Sequence, residues 1–445
     1  MKLTPVQHLL GRLKMPGDKS VSHRAAMISA LAKGQTYIEN FSSSADCVAT
    51  LACLQRLGVE IERAGRNVTI IGEGISGLRQ PPDTLDCGNS GTTMRLLAGI
   101  VAGKDFTTRM VGDDSLSKRP MGRIVDPLQR MGAVITATDG RAPLEIKGRE
   151  SLWPLSYELP VASAQVKSCV LLAGLMADGK TEVIERTPTR DHTERMLRYF
   201  GVQVGFESLA GEPGYRLSVT GPARFTAMER LEIPGDISTA AFFMAGAAVL
   251  PGSELFLENV GLNSTRVQIV DVLQRAGANI EITGQTEISN EPVGTIRITG
   301  PATRTPLKPA LGPLVLSGPV IAQLIDELPI LAVLGTQIEG GITIHDAVEL
   351  RHKESDRIAA TVKGLRAMGA LVEEHPDGLT VMGPVALKGA LIDAHRDHRI
   401  AMAFGIAALL AEGETEIDGA EDCVSVSCPD FFELLASVSN ETADE

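Results

Sequence analysis

"LQRLGVEI" (residues 54–61) is one of five versions of a single phrase. The others are "LQRMGAVI" (128–135), "LRYFGVQV" (197–204), "LQRAGANI" (273–280) and "LRAMGALV" (365–372). Each places leucine three positions before an apolar residue, adds a glycine and continues into alternating apolar positions. That pattern predicts the end of an amphipathic helix, stopped by glycine and turning into a strand. Recurrence of one helix-to-strand phrase along a chain is the mark of a repeated supersecondary unit.

Ahead of each phrase lies the opening of another helix, introduced by a small or polar cap: "PGDKSVSHR", "CGNSGTTMR", "VASAQVKS", "PGDISTAA", "LIDELPIL" and "AHRDHRIAM". The last of these six lacks a following phrase, and "PDFFELLASV" (429–438) is expected in its place. The expectation is an α/β protein of six repeated units, three in each of two lobes. Two near copies, "MPGDKSVSHRAAM" (15–27) and "IPGDISTAAFFM" (233–244), fall at equivalent points and are read as crossings between lobes. The first lobe is then 19–234, the second 1–18 plus 235–445, and the crossings lie near 15–18 and 233–236.

Composition agrees with two lobes, since 445 residues exceed one ordinary domain. Apolar residues make up 44% and aromatic ones 4%, a core of aliphatic side chains. The formal net charge of −13 argues against nucleic-acid or anionic-membrane partners, which need a broad basic surface. Any anion site must be local. Six cysteines without a C-x-x-C pair read as reduced packing residues in a cytoplasmic protein. The opening "MKLTPVQHLLGRLK" lacks the apolar core of a signal peptide, and "AAFFMAGAAVL" (240–250) is half a membrane span.

The two "PGD" copies differ in charge. Only the first carries Lys19, Ser20, His23 and Arg24, and the second continues without a cation into an apolar helix. A helix start presents free N–H groups and partial positive charge, so cations there make an anion site. The turn itself is read as a property of the fold and the cations as function. "GDKS" lacks the spacing of a nucleotide P-loop. Other unit openings are also polar: "GNSGTT", "SKRPMGR", "ASAQVKS", "TRDHTER", "RHKESDR" and "HRDHR". Singly each reads as a solvated cap, but repetition at equivalent points directs them toward one function. "HRDHR" has no supporting ligand set, so no metal is expected. No G-x-S-x-G elbow supports Ser20 or Ser163 as a nucleophile with His398 as base.

Taken together, "PGDKSVSHR", "DCGNSGTTMRL", "KRPMGRIVDPL", "SAQVKS", "RDHTERM", "NSTR", "IDELPILA", "LRHKESDR", "DHRIAMAF" and "PDFFELL" resemble the 5-enolpyruvylshikimate-3-phosphate synthase family over nearly the whole chain. "GDKS", "SAQVK", "RDHTE" and "NSTR" are similar to its class II branch, which includes glyphosate-tolerant members. The resemblance implies a two-lobed enolpyruvyl transferase fold, an inside-out α/β barrel of six units with substrates bound as the lobes close. It implies transfer of the enolpyruvyl group of phosphoenolpyruvate to the 5-hydroxyl of shikimate 3-phosphate, through a tetrahedral intermediate, in the pathway to chorismate and aromatic amino acids. No cofactor is implied, and the working form is expected to be a monomer. Two polyanions must meet, and one pair of unit charges at about 4 Å repels by about 4 kcal/mol at an effective dielectric near 20, so cations must converge.

Matched motif by motif, the resemblance gives Lys19, Ser20 and Arg24 to shikimate 3-phosphate, with Ser163, Ala164, Gln165 and Arg190 completing that pocket. Asn89, Gly91, Arg119, Gln165, Arg357 and Arg399 go to phosphoenolpyruvate, which Lys19 also reaches. Asp326 is implied as base on the attacking hydroxyl and Glu354 as acid at the C3 methylene, with Lys353 close to both. Two departures stand out: Val426 replaces a lysine of many relatives, and Gly91 is kept where some tolerant members have Ala. The sister transferase acting on UDP-N-acetylglucosamine is disfavoured because "GDDSLSKRPMGR" lacks its reactive cysteine. RNA 3'-phosphate cyclases share the unit but need a basic surface. A non-catalytic repeat scaffold would spread charge evenly over all units.

Overall fold

The computed structural model describes residues 1–439. The chain divides into two compact units, one of Gly17–Ile233 with Glu287–Glu291, the other of Met1–Pro16, Pro234–Thr286 and Pro292–Glu445. The segment 287–291 departs from the sequence reading, which placed it in the second lobe. Its attachment is specific: Glu291 Oε1 lies 2.7 Å from His192 Nδ1, Asn290 Nδ2 donates to the Arg195 carbonyl and Ser289 Oγ accepts from Glu232 N. These bonds join residues about 57 to 99 positions apart, a pairing that local pattern does not encode.

The five phrases share one local geometry. Gly58, Gly132, Gly201, Gly277 and Gly369 all have φ between 77° and 102°, the region glycine takes without strain. Each glycine amide bonds the carbonyl three residues back at 2.9–3.0 Å, and the next amide reaches the leucine carbonyl at 2.9–3.1 Å. The residue after the leucine has its own task. Gln55, Gln129 and Gln274 donate from Nε2 to the carbonyls of Ile61, Ile135 and Ile280, and Arg198 and Arg366 donate to those of Val204 and Val372. A long polar donor at that position therefore clips the helix end to the incoming strand, six residues on.

Each unit holds three small sheets. In Gly17–Ile233 they run Arg230–Glu232, Lys33–Glu39, Asn67–Glu73, Glu60–Ala64; then Leu85–Asp86, Thr107–Val111, Arg141–Lys147, Val134–Thr138; then Ser156–Glu158, Gly179–Glu185, Tyr215–Gly221, Gly205–Ser208. In every one the first pair is parallel and the rest antiparallel. The other unit repeats the order around Glu254–Gly261 and Ile342–Ile344, with a shorter sheet of Leu391–Asp393, Thr415–Asp418 and Lys2–Leu3. A six-unit α/β protein is what the sequence predicts, and after the sixth sheet come the short helix Ala420–Val424 and then Phe431–Ser439.

The first helix of each unit is buried on nearly all sides, which explains its lack of an apolar stripe. Lys19–Leu31, Gly91–Ala102 and Ala164–Gly174 line one core, and Ile237–Val249, Leu328–Gly335 and His398–Leu410 the other. All thirteen residues of Ile237–Val249 are buried, so the apolar run at 240–250 is a core helix. No helix among the described residues is long and apolar enough to cross a membrane. Close approach is purchased with small residues: a Cβ at Gly99 would sit 2.3 Å from the Cys169 carbonyl oxygen of the neighbouring helix.

Five of these six helices are capped by a side chain. Asp18, Ser90, Ser163, Asp236 and Asp397 accept from the first-turn amides of Val21, Thr93, Val166, Ser238 and Arg399. The caps fix the first turns that carry Lys19, Ser20, Gly91, Ala164, Gln165 and Arg399.

Candidate active site

In the Gly17–Ile233 unit, Lys19 opens its helix with its Nζ 3.0 Å from Asp46 Oδ2 and remains partly exposed, as does Ser20. Arg24, one turn on, is buried and fixed on three sides. Its Nη1 donates to the Ser20 carbonyl (2.9 Å), Nη2 to Ser168 Oγ (2.9 Å) and Nε to Thr193 Oγ1 (2.7 Å). Ser168 and Thr193 are themselves 2.6 Å apart, so Arg24 joins three helices at the turn that presents Lys19 and Ser20.

A second set centres on Gln165. Arg95 Nη1 donates to its Oε1 at 2.5 Å, and its Nε2 donates to Thr92 Oγ1 at 2.9 Å. Arg119 Nη2 donates to Asn89 Oδ1 at 2.6 Å, while Asn89 Nδ2 donates to Asp113 Oδ2 at 2.7 Å. Gly91 faces both guanidinium groups: a Cβ there would lie 2.9 Å from Arg95 Nη1 and 3.5 Å from Arg119 Nη1. Asn89, Gly91, Arg119 and Gln165 are thus brought together, with Arg95 and Asp113 as members that sequence reasoning left unassigned. Arg95 stood in the quoted "DCGNSGTTMRL", four residues after Gly91, a helical spacing that puts it on the same face.

Ser163 caps the Ala164–Gly174 helix, and a cavity of about 490 Å³ lined by 158–162 and 185–187 lies just before it. Half-buried Arg190 precedes the His192–Tyr199 helix. The frame between them is ionic: fully buried Lys167 meets Glu194 Oε1 at 2.7 Å and Glu185 Oε2 at 3.1 Å. Burial works to lower the Lys167 pKa, but Glu194 and Glu185 outweigh it and raise the pKa, while burial pushes the Glu185 carboxyl up. "SAQVK" and "RDHTE" are therefore two halves of one buried ion cluster.

The other unit concentrates carboxylates. Arg357, 1% exposed, donates from Nη2 to Glu354 Oε2 (2.6 Å), from Nη1 to Asp326 Oδ1 (3.3 Å) and from Nε to Asp397 Oδ2 (2.8 Å). Lys353 Nζ lies 3.7 Å from Asp326 Oδ1. Burial opposes its charge, but Asp397, Glu354 and Asp326 together hold the Arg357 guanidinium protonated. Asp397, wholly buried, also accepts from Ser355 Oγ and caps the helix of Arg399. Arg399 is 3% exposed with its guanidinium 5.8 Å from the Phe242 ring, and its Nε and Nη1 have no hydrogen-bond partner among the described residues. A buried guanidinium with free donors is an anion receptor by its chemistry.

The reading of the second "PGD" copy as uncharged needs correction. Arg266 of "NSTR", 2% exposed, donates to Ser238 Oγ at 2.7 Å and lies 3.5 Å from Asp236 Oδ1, so a cation reaches this helix start from another part of the chain. Ser238 Oγ in turn donates to buried Glu327. The charge run 351–357 also divides in two: Arg351 makes peripheral pairs with Asp356 and Glu374, while Lys353, Glu354 and Arg357 form the network above. All six cysteines are buried thiols outside any disulfide. A neighbouring Cys53 and burial raise the Cys87 thiol pKa, consistent with packing.

The family EPSP synthase (3-phosphoshikimate 1-carboxyvinyltransferase) matches this chain over residues 3–435. The chain belongs to the EPSP synthase family. A protein from Koribacter versatilis named 3-phosphoshikimate 1-carboxyvinyltransferase is 49% identical over 439 residues, 98% of this chain and 99% of that one. One of the same name from Acidithiobacillus ferrooxidans is 50% identical, over 96% and 95%. The solved EPSP synthase of Acinetobacter baumannii superimposes with a TM-score of 0.85 at 41% identity, covering 98% of both chains. Within this EPSP synthase family fold, Asp46 and Asp397 are the acidic partners that motif matching passed over. Their cue was position: Asp397 is the cap of the last buried helix, and Asp46 opens the helix after Lys19–Leu31.

Proposed function

We infer that this chain transfers the enolpyruvyl group of phosphoenolpyruvate to the 5-hydroxyl of shikimate 3-phosphate and releases phosphate. Its membership of the family and the names of its relatives support the activity. The observation that carries the chemistry is the Arg357 fork, which holds Asp326 and Glu354 on one guanidinium with Lys353 beside Asp326.

In this proposal Asp326 takes the proton of the 5-hydroxyl as its oxygen attacks C2, and Glu354 gives a proton to C3. The Glu354 carboxylate then takes a proton back from the C3 methyl as phosphate departs from C2, which regenerates the double bond. Lys19, Ser20 and Arg24 with Ser163, Ala164, Gln165 and Arg190 hold shikimate 3-phosphate. Asn89, Gly91, Arg119, Gln165, Arg357 and Arg399 hold phosphoenolpyruvate, which Lys19 also reaches. Arg399 is suited to this because its buried Nε and Nη1 lack acceptors among the described residues. Two carboxylates in opposite roles need different environments, and general acid–base help is worth about 10² to 10⁴ in rate.

The proposal includes three plain expectations: two lobes that exchange chain near 15–18 and 233–236, a monomer, and a cytoplasmic location. Phosphate release from phosphoenolpyruvate is the test, with shikimate 3-phosphate or UDP-N-acetylglucosamine as acceptor. Release with the first alone supports the assignment, and release with the second, or none with the first, sinks it. Light scattering of the purified chain tests the monomer.

A further inference from the structure

His23 lies inside the motif that opens the phosphate-binding helix, yet the reaction assigns it nothing. It is wholly buried. Its Nδ1 lies 2.6 Å from Thr50 Oγ1, Thr50 Oγ1 lies 2.6 Å from Thr93 Oγ1, and Thr93 Oγ1 donates to Ser90 Oγ at 2.7 Å. All four residues are 0% exposed. They sit on, or cap, three different helices: Lys19–Leu31, Ala45–Arg56 and Gly91–Ala102.

The direction of this chain follows from its ends. His23 Nε2 is buried and has no partner among the described residues. A buried N–H without an acceptor is rarer and costlier than an unused lone pair, so the proton belongs on Nδ1, which donates to Thr50. Thr50 then donates to Thr93 and Thr93 to Ser90, which also accepts from the Thr93 amide at 3.0 Å as the helix cap. Asp46 lies alongside: its carbonyl is 3.5 Å from Thr50 Oγ1 and 3.3 Å from Thr93 Oγ1, while its carboxylate holds Lys19. One end of the relay is thus in the turn of Lys19 and Ser20, and the other is the residue between Asn89 and Gly91.

We propose that His23 is a positioning residue, whose neutral imidazole sets the register between the Lys19–Ser20 helix start and the Asn89–Gly91 loop through Thr50, Thr93 and Ser90. Its role is to keep two anion-binding segments at a fixed separation. This rests on the substrate assignments proposed above. Charge on His23 would leave a buried Nε2–H without an acceptor, and burial, Lys19 and Arg24 all work against it.

The test compares His23→Leu, Thr50→Val, the double variant and His23→Asn, whose amide can replace Nδ1. Each relay-breaking single variant is expected to raise KM for both substrates by about 5-fold or more with kcat within about 3-fold, and the double variant to be no worse than the worse single. His23→Asn should restore both KM values. Imidazole ¹⁵N spectra of the wild type should show a protonated Nδ1 that shifts in Thr50→Val and on adding shikimate 3-phosphate. Folded variants with unchanged KM, additive losses in the double variant, or an Nε2-protonated ring would overturn the proposal. If His23→Leu does not fold, Thr50→Val and the spectra decide. Failure of the wild type to release phosphate would count against the substrate assignment, while the Nδ1 response to Thr50→Val still reports on the relay.

Discussion

Two helix starts in this molecule share a turn and differ in what they do with it. At Asp18 and at Asp236 the same proline–glycine pair leads into a capping aspartate, and Asn40 and Asn259, near the two glycines, both take left-handed φ, at 54° and 57°. A Cβ on Gly17 would lie 1.7 Å from the Asn40 oxygen, and one on Gly235 2.8 Å from the Asn259 oxygen. Beyond the cap they diverge. Lys19 and Ser20 stay partly open, whereas Ile237, Ser238 and Thr239 are buried beneath Arg266 and Glu327. Lys19 and Ser20 of the first start keep part of their surface exposed, whereas the polar groups of the second are enclosed by the protein. Repetition therefore supplied a scaffold, and exposure, more than charge, separates the two copies.

That contrast extends to the two compact units, one bearing the Lys19 set and the other the Asp326 and Glu354 pair. If the division is right, Glu354→Gln loses kcat by about 10² to 10⁴ with KM within a few-fold. Steady-state kinetics check it, and an unchanged kcat removes Glu354 from the mechanism. Arg266→Met probes the structural copy. Removing a buried cation from Asp236 and Ser238 should destabilise the fold by about 3 kcal/mol, read as a lower urea midpoint, with KM unmoved in the folded fraction. A rise in KM at full stability would make the second start functional and break the comparison.

Lys19→Met is the matching change in the first copy. It should raise KM for shikimate 3-phosphate by about 10- to 100-fold, as loss of a charged hydrogen bond does, with little loss of stability because the side chain is partly open. Ile237→Met, at the equivalent position, should leave KM alone. The pH dependence of stability sharpens the same point. His23 is held well below the ordinary histidine pKa of about 6.5 by burial, then Lys19 and Arg24, against a smaller pull from Asp18. A group so depressed takes up its proton only on unfolding. Its contribution is complete above about pH 6.5 and falls by up to about 1.4 kcal/mol per pH unit below it. Urea titrations of His23→Asn between pH 5 and 7 should show that slope reduced, and an identical slope would place a charged imidazole in the fold. The smallest effect is expected at Gly91→Ala, where the Arg95 guanidinium must shift from 2.9 Å, a cost of about 1 kcal/mol seen as a few-fold rise in KM for phosphoenolpyruvate.

Much of the repeat was legible because its signals are local. The helix stop in "LQRLGVEI" needs only a glycine at positive φ and a donor at the second position, and both act within eight residues. The caps were legible for the same reason, and so was the turn around each "PGD". Family motifs then marked Asn89, Gln165, Asp326, Glu354 and Arg357 without saying what each one touches.

Which groups meet was decided by tertiary structure. Arg266 reaches a helix start 30 residues earlier, Asp397 takes the Nε of Arg357 from 40 residues away, and Arg95 finds Gln165 across 70. Sequence spacing carries no information about such pairs, because a side chain's partners are set by how buried helices stack and by what is left unsatisfied after they do. The amino-acid order determined six helix-to-strand units and a cation at one helix start. Packing decided that Lys19 stays partly exposed, that Arg266 is enclosed, and that His23 is tied to the Ser90 cap through two threonines.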